Sequence, residues 1–153
     1  MKKIDLGKYE FTKADQQVEL KKVLPLTLVE EVVVEDGIQT IESNTFSGYS
    51  NLKWVTLPNT VTVIKFDAFS GCYNLKAITL PKSLKGIKGF AFRDCYSLGM
   101  ETDGILIIPS SVGIIEDYAF INCFSIKAVV LCGNTIVEDR AFDGCNVNIY
   151  RAN

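Results

Sequence analysis

The chain has 153 residues, of which 48% are hydrophobic and 22% are charged, and its net charge is −2. This length favours one domain with a substantial core, and the near-neutral charge argues against a nucleic-acid-binding protein. The chain contains no histidine, which excludes hydrolytic triads with an imidazole base and zinc sites with imidazole ligands.

The N-terminal segment does not have the pattern of an export signal. Lys2 and Lys3 could begin one, but Asp5 and Lys8 interrupt the apolar run that should follow. No apolar stretch approaches the ~20 residues that span a bilayer, so we expect no membrane insertion. The sequence predicts a cytoplasmic protein. The alternative is a secreted or cell-surface protein whose signal peptide has been removed.

Residues 1–28 are predicted to form a degenerate N-terminal capping unit. An apolar strand pattern at residues 6–11 recurs 23 residues later at residues 29–34. Residues 14–24 instead predict a short helix that ends before Pro25. A solenoid needs such a cap, because its end units would otherwise expose core side chains.

From residue 29 onward the chain is an internal repeat. Its clearest column is a phenylalanine with spacings of 23, 23, 28 and 22 residues, at Phe46, Phe69, Phe92, Phe120 and Phe142. Alanine precedes the last four of these residues, and cysteine follows the same four at Cys72, Cys95, Cys123 and Cys145. We predict a solenoid of five units over residues 29–153, with an inserted loop at residues 99–104.

Each unit also carries an apolar Leu-x-x-Leu-x-Leu strand pattern, as at residues 52–57 and 75–80, which is the leucine-rich repeat signature. The segment from Ile78 through Leu80-Pro81 to Ile87, followed by Ala91-Phe92 and Cys95, resembles the BspA-like (Treponema-type) leucine-rich repeats. The resemblance weakens in the first unit, which lacks the Ala and Cys, and in the last, where Cys132-Gly133 replaces the Leu-Pro step.

The expected fold is an α/β repeat, a right-handed leucine-rich-repeat solenoid. Short parallel strands near residues 32–34, 54–57, 77–80, 105–108 and 128–131 should form a continuous sheet on the concave face. Short helical or 3₁₀ turns around the Ala-Phe pairs should form the convex face, with the phenylalanine column buried.

The five cysteines do not predict a chemical site. An odd count without a Cys-x-x-Cys pair argues against a disulfide framework or a zinc ribbon. We expect the four-member column to be buried, reduced and unligated, and Cys132 to be more exposed. Glu101 and Asp103 in the inserted loop offer too few oxygen ligands for a calcium site. No metal, cofactor or catalytic residue is predicted.

The outward positions of the strands predict a partner-binding surface. One column holds Trp54 and Ile105, the next holds Ile107 and Val130, and lysines flank them at Lys53, Lys76 and Lys127. Trp is frequent among interface hot spots, and a contiguous apolar patch indicates a partner. The alternative is that β-branched residues here only suit the strands.

The predicted function is a non-catalytic protein–protein interaction module. The resemblance implies the same for a bacterial protein, since several BspA-like proteins are surface proteins that bind host proteins or other cells. The alternatives are an adhesin-like surface binder and a structural protein that self-associates through its C-terminal edge, where Ile149 and Tyr150 extend a final partial strand.

Overall fold

A computed structural model describes residues 8–12 and 27–152 of the chain, and parallel strands dominate this part. The longer strands are β1 (Lys8–Phe11), β2 (Glu31–Val34), β4 (Trp54–Thr56), β6 (Ala77–Thr79), β8 (Ile105–Ile108), β10 (Ala128–Leu131) and β12 (Asn148–Arg151). Two-residue strands alternate with them: β3 (Thr40–Ile41), β5 (Val63–Ile64), β7 (Gly86–Ile87), β9 (Ile114–Ile115) and β11 (Ile136–Val137). The predicted parallel solenoid is confirmed.

The short strands form a second sheet that the sequence did not predict. Their order is β3-β5-β7-β9-β11, and each strand pairs in parallel with its counterpart one coil away, as in the register of Ile64 with Ile87. These strands contain the Ile and Val column that ends at Val137. Each coil from β2 to β11 therefore contributes one longer strand and one short strand, and the core lies between these two sides.

The phenylalanine column is the centre of that core. Phe46, Phe69, Phe92 and Phe120 are fully buried, and Phe142 is nearly so. Adjacent rings stack at centroid distances between 4.9 and 5.2 Å, which is close to the ~4.8 Å spacing of neighbouring strands. One ring per coil therefore fills the same place in every layer, as predicted.

The segments around the Ala-Phe pairs are hydrogen-bonded turns, so the expected helical turns are not confirmed. Within a coil, the Cys72 amide donates to the Phe69 carbonyl at 3.2 Å. Between coils, the Phe69 amide donates to the Ala91 carbonyl at 2.7 Å. Because alternate amides of this segment, such as those of Phe69 and Gly71, bond to the next coil, the turn cannot continue as a helix. Among the described residues, the 3₁₀ turn is Met100–Thr102, in the inserted loop.

At the N-terminal end, β1 pairs in parallel with β2, and buried Phe11 contacts Phe46 at a centroid distance of 5.1 Å. The strand expected one period before β2 is therefore present. The predicted helix at residues 14–24 lies outside the described residues, and the unit boundary at residue 28 stays a prediction.

The sheet of longer strands is not continuous, which corrects the expectation from the sequence. It divides into β1-β2-β4-β6 and β8-β10-β12, and no backbone hydrogen bond joins β6 to β8, both of which are fully described. The division lies at the inserted loop. On the opposite side of the same coils, β7 and β9 remain paired.

Candidate functional site

The long-strand face, formed by the outward side chains of β2 to β12, carries the residues predicted to contact a partner. Trp54 on β4 is 41% exposed. Lys53 and Lys76 place their ammonium groups 5.8 and 5.9 Å from the centre of the indole ring, so two cations flank one aromatic side chain. Lys53 also pairs with Glu30 at 3.0 Å, and Lys76 lies 3.7 Å from Glu101 of the inserted loop.

The second part of the predicted surface lies on β8 and β10. Ile105 and Ile107 are exposed, the latter by 60%. Ile107 is in register with half-buried Val130, and Val130 is in register with Tyr150 of β12. Exposed Tyr150 extends this apolar row, although the sequence prediction did not include it. Exposed Lys127 precedes β10, in the column of Lys53 and Lys76.

These two groups of residues are separated. The sequence placed Trp54 and Ile105 on one continuous sheet, but a cleft of about 770 Å³ opens between β6 and β8. Ile105, Ile107 and Lys76 line it, whereas Trp54 does not. The predicted surface is therefore two patches on either side of a cleft.

The inserted loop produces the cleft by adding one hydrogen-bonded layer. Elsewhere neighbouring coils are one hydrogen-bonded step apart at the start of the long strands, as where the Lys76 amide donates to the Lys53 carbonyl at 2.9 Å. From Lys76 to the start of β8 there are two successive steps. The Gly99 amide donates to the Lys76 carbonyl at 3.0 Å, and the Gly104 amide donates to the Gly99 carbonyl at 2.8 Å.

Because each such step is about one strand spacing of ~4.8 Å, β8 begins two spacings, or about 10 Å, from β6. The Gly113 amide donates directly to the Lys85 carbonyl at 2.8 Å near the short strands, where the same coils are again one step apart. The cleft is a wedge that narrows from the inserted loop towards the far ends of β6 and β8.

The comparisons identify the family. The family model described as the BspA type leucine rich repeat region matches residues 25–148 with six copies. The chain belongs to this family. No curated protein matches the sequence.

Solved structures share the fold. A leucine-rich repeat protein from Bacteroides ovatus is 26% identical with a TM-score of 0.58, over 75% of this chain and 35% of that one. The T. pallidum leucine-rich repeat protein TpLRR is 19% identical with a TM-score of 0.65, over 99% and 69%. The pneumococcal vaccine antigen PcpA is 21% identical with a TM-score of 0.65, over 81% and 31%. The chain thus spans about a third of the length of the Bacteroides and pneumococcal proteins.

The cysteine column of this BspA-type chain is structural. Each thiol donates to the carbonyl of a phenylalanine in the preceding coil, at 3.1–3.2 Å for Cys72, Cys95, Cys123 and Cys145. Burial raises the pKa values of the Cys72 and Cys95 thiols well above the usual cysteine value. Burial also raises the pKa of the Cys145 thiol, to about 11. Cys145 is only partly buried, contrary to prediction, because it lies in the last described coil. All five cysteines are free, and exposed Cys132 lines the cleft.

Residues 8–12 and 27–152 contain no cluster of three or more His, Cys, Asp or Glu side chains that could hold a metal ion. Within the same residues, no helix is both long and apolar enough to cross a membrane. Asn51, Asn74 and Ser125 donate to carbonyls of the preceding coil, so these side chains satisfy backbone acceptors between coils.

Proposed function

We propose that this BspA-type repeat chain is a non-catalytic protein-binding module that contacts its partner through the long-strand face. The observation that carries the proposal is the exposed Trp54 between Lys53 and Lys76, together with exposed Ile105 and Ile107 and the neighbouring Val130 and Lys127. Leucine-rich repeat solenoids are in general binding scaffolds, which supports this choice over an enzymatic function.

The physical support is preorganisation. The side chains stand on short strands whose backbones are fixed by parallel pairing and by a stacked aromatic core. Such a scaffold loses little conformational entropy on binding. A half-exposed indole beside apolar neighbours can bury a large area, and truncation of a central Trp commonly costs 2 kcal/mol or more of binding free energy.

The test is capture of a partner from source-cell extract by the folded chain, followed by affinity measurement with the purified partner. We expect Trp54→Ala combined with Ile107→Asp to weaken binding by at least 30-fold, which corresponds to about 2 kcal/mol. The matched control is Ile136→Asp. Ile136 is 63% exposed, similar to Ile107, but it lies on β11 in the other sheet.

Two outcomes would contradict the proposal. If the double variant binds the partner unchanged, the long-strand face is not the contact surface. If Ile136→Asp weakens binding as strongly, the effect is not specific to that face. Both Asp substitutions lie at exposed sheet positions, so we expect the fold to be unchanged. Circular dichroism of all variants must show this before binding is compared.

Self-assembly is the second candidate function. All four residues of β12 are exposed, including Ile149 and Tyr150. Light scattering at increasing concentration distinguishes the two functions, because a binding module stays monomeric alone.

A cytoplasmic location stays a prediction; one structural neighbour, PcpA, is a vaccine antigen.

A further inference from the structure

We propose that the cleft between β6 and β8 binds an extended peptide segment of a partner protein, which pairs with both strand edges as an added strand. The segment carries alternating apolar and acidic side chains. This inference rests on the proposed function and specifies the form in which the partner is recognised.

The width of the cleft fits one extended chain. At the inserted loop, β8 lies two hydrogen-bonded steps from β6, through Gly99 and Gly104. Since each step equals about one strand spacing of ~4.8 Å, the gap has room for one strand at its wide end. The regular repeat would place β8 directly beside β6, so the gap is a specific consequence of the insertion.

The strand edges that face the cleft supply backbone partners. β6 pairs with β4 on one side and β8 pairs with β10 on one side, and no backbone bond crosses between β6 and β8 in the described structure. Backbone donors and acceptors at such edges are templates for another strand. Peptide binding by strand addition uses such edges, with main-chain bonds for affinity and side-chain pockets for specificity.

The interior of the cleft requires apolar side chains from the occupant. Ile78 on β6 occupies the inward position that Val55 occupies on β4 and Val129 on β10. Those two valines are 4% or less exposed, whereas Ile78 is only partly buried because the cleft opens onto it. Leu98 and Leu106 also line the cleft. An apolar side chain of the peptide would complete this layer of the core.

The rim of the cleft selects acidic residues. Lys76 and Lys82 are the charged side chains among the lining residues, and none of the described residues that line the cleft carries a carboxylate. Glu101 lies 3.7 Å from Lys76, while Lys82 has no ion pair with a described carboxylate. Because strand side chains alternate between the two faces, a peptide with apolar residues inward presents its acidic residues outward.

The probe is an acetylated and amidated octapeptide of alternating Val and Glu, titrated into the full chain and followed by NMR. We expect saturable binding, with shifts and slowed amide exchange concentrated at residues 77–80 and 105–108. The same peptide with alternate amides N-methylated keeps its side chains but loses the backbone donors along one of its two edges. We expect it to bind at least tenfold more weakly, and replacing Glu by Lys should weaken binding similarly.

Deletion of residues 100–104 restores the phenylalanine spacing from 28 to 23 residues and should let β8 pair with β6. We expect this variant to lose peptide binding at least tenfold. If it does not fold, the N-methylated peptide still tests the proposal on the unaltered chain. Equal binding of both peptides, equal binding to the deletion variant, or no binding of the Val-Glu peptide at millimolar concentration would each overturn it.

Trp54→Ala separates this inference from the proposed function. Trp54 does not line the cleft, so we expect the substitution to leave Val-Glu peptide binding within twofold of the unaltered chain. If the peptide binds as expected while the Trp54→Ala single variant captures the partner normally, the assignment of Trp54 to the contact surface is wrong and the cleft assignment stands. If peptide binding fails while the Trp54→Ala single variant loses the partner, only the cleft assignment is wrong.

Discussion

The position of a residue within the repeat determines which side chain fits there, and several repeat positions require a backbone conformation that most residues avoid. The position two residues before the first four column phenylalanines has a positive φ, at Asn44, Asp67, Phe90 and Tyr118. Asn and Asp tolerate this region, whereas aromatic residues rarely adopt it. Phe90 and Tyr118 are held there by stacking at 5.1 Å, with Arg93 over one ring and Arg140 over the other.

Truncation of a core ring tests the column directly. Phe92 is fully buried and stacks on Phe69 and Phe120, so Phe92→Ala leaves a cavity with rings on both sides. We expect the free energy of unfolding to fall by about 3–5 kcal/mol in urea titration. The matched control is Phe124→Ala, since Phe124 is 60% exposed, and it should cost less than about 1 kcal/mol. Similar losses for both variants would contradict the assignment of the core.

Thiol reactivity should follow burial. Cys132 is exposed, Cys145 is partly buried, and Cys72, Cys95 and Cys123 are buried. We expect a disulfide reagent at neutral pH to label Cys132 first, then Cys145, with the three buried thiols reacting only on unfolding. Cys132→Ser should remove the fast phase. Rapid reaction of all five thiols in the folded chain would contradict the structural role of the column.

The partly buried thiol of Cys145 also predicts a loss of stability at high pH. Burial raises the pKa of Cys145 from 9.0 to about 11, so the folded chain holds this proton more tightly than the unfolded chain. The stabilisation is complete below pH 9 and is lost as pH rises through 11. Between pH 8.5 and 10.5, a range of about two pH units, we expect the free energy of unfolding to fall less for Cys145→Ser than for the unaltered chain in urea titrations. Exposed Cys132→Ser is the control and should lose as much as the unaltered chain.

At the scale of elements, the regular spacing of the repeat determines where the strands lie. The irregular spacing at the inserted loop determines which strands pair. Columns spaced 23 residues apart predicted β4 and β6, because inward apolar residues recur at every second position of the strand pattern. The 28-residue spacing indicates an insertion. Its effect on the pairing of β6 with β8 could not be predicted, because a surface loop and an added hydrogen-bonded layer differ only in where the amides of Gly99 and Gly104 bond.

The two-residue strands were missed for a related reason. The column at Ile64, Ile87 and Ile115 indicates burial, but two residues are too few to show the alternation that marks a strand. The surface row beyond Val130 was incomplete because Tyr150 belongs to a last coil that lacks the full repeat pattern. Burial columns are therefore readable from the sequence, whereas sheet continuity depends on backbone bonds that side chains do not encode.

The added layer depends on a glycine conformation. Gly99 has φ +105°, and a Cβ there would lie 3.2 Å from the Ser125 carbonyl oxygen. We expect Gly99→Ala to lower the free energy of unfolding by about 1–3 kcal/mol, since non-glycine residues are strained in this region. Gly113→Ala is the matched control, because Gly113 does not have a positive φ and a Cβ there would lie 3.5 Å from the nearest backbone atom, the Lys85 carbonyl oxygen. It should be close to neutral in the same urea titration.

At the scale of the whole molecule, charge is nearly balanced but unevenly distributed. The net charge is −2, yet the charged residues that line the cleft are lysines. Long-range attraction depends on the local field that an approaching ligand meets, and exposed ion pairs such as Lys53 with Glu30 contribute little to that field. Lys82 and Lys127 are exposed beside the cleft or the adjacent patch without a described ion pair.

These two lysines should therefore control how fast an acidic peptide associates. We expect Lys82→Glu combined with Lys127→Glu to slow association of the Val-Glu octapeptide by about tenfold at 10 mM salt and by less than twofold at 500 mM, because the Debye length falls from ~30 Å to a few ångströms. The dissociation rate should change little. The matched control is Lys85→Glu, an exposed lysine that precedes β7 in the other sheet. Stopped-flow measurements on all three proteins separate the two cases: if Lys85→Glu slows association per charge as much as the cleft variant does, the peptide responds to net charge rather than to the local field of the long-strand face.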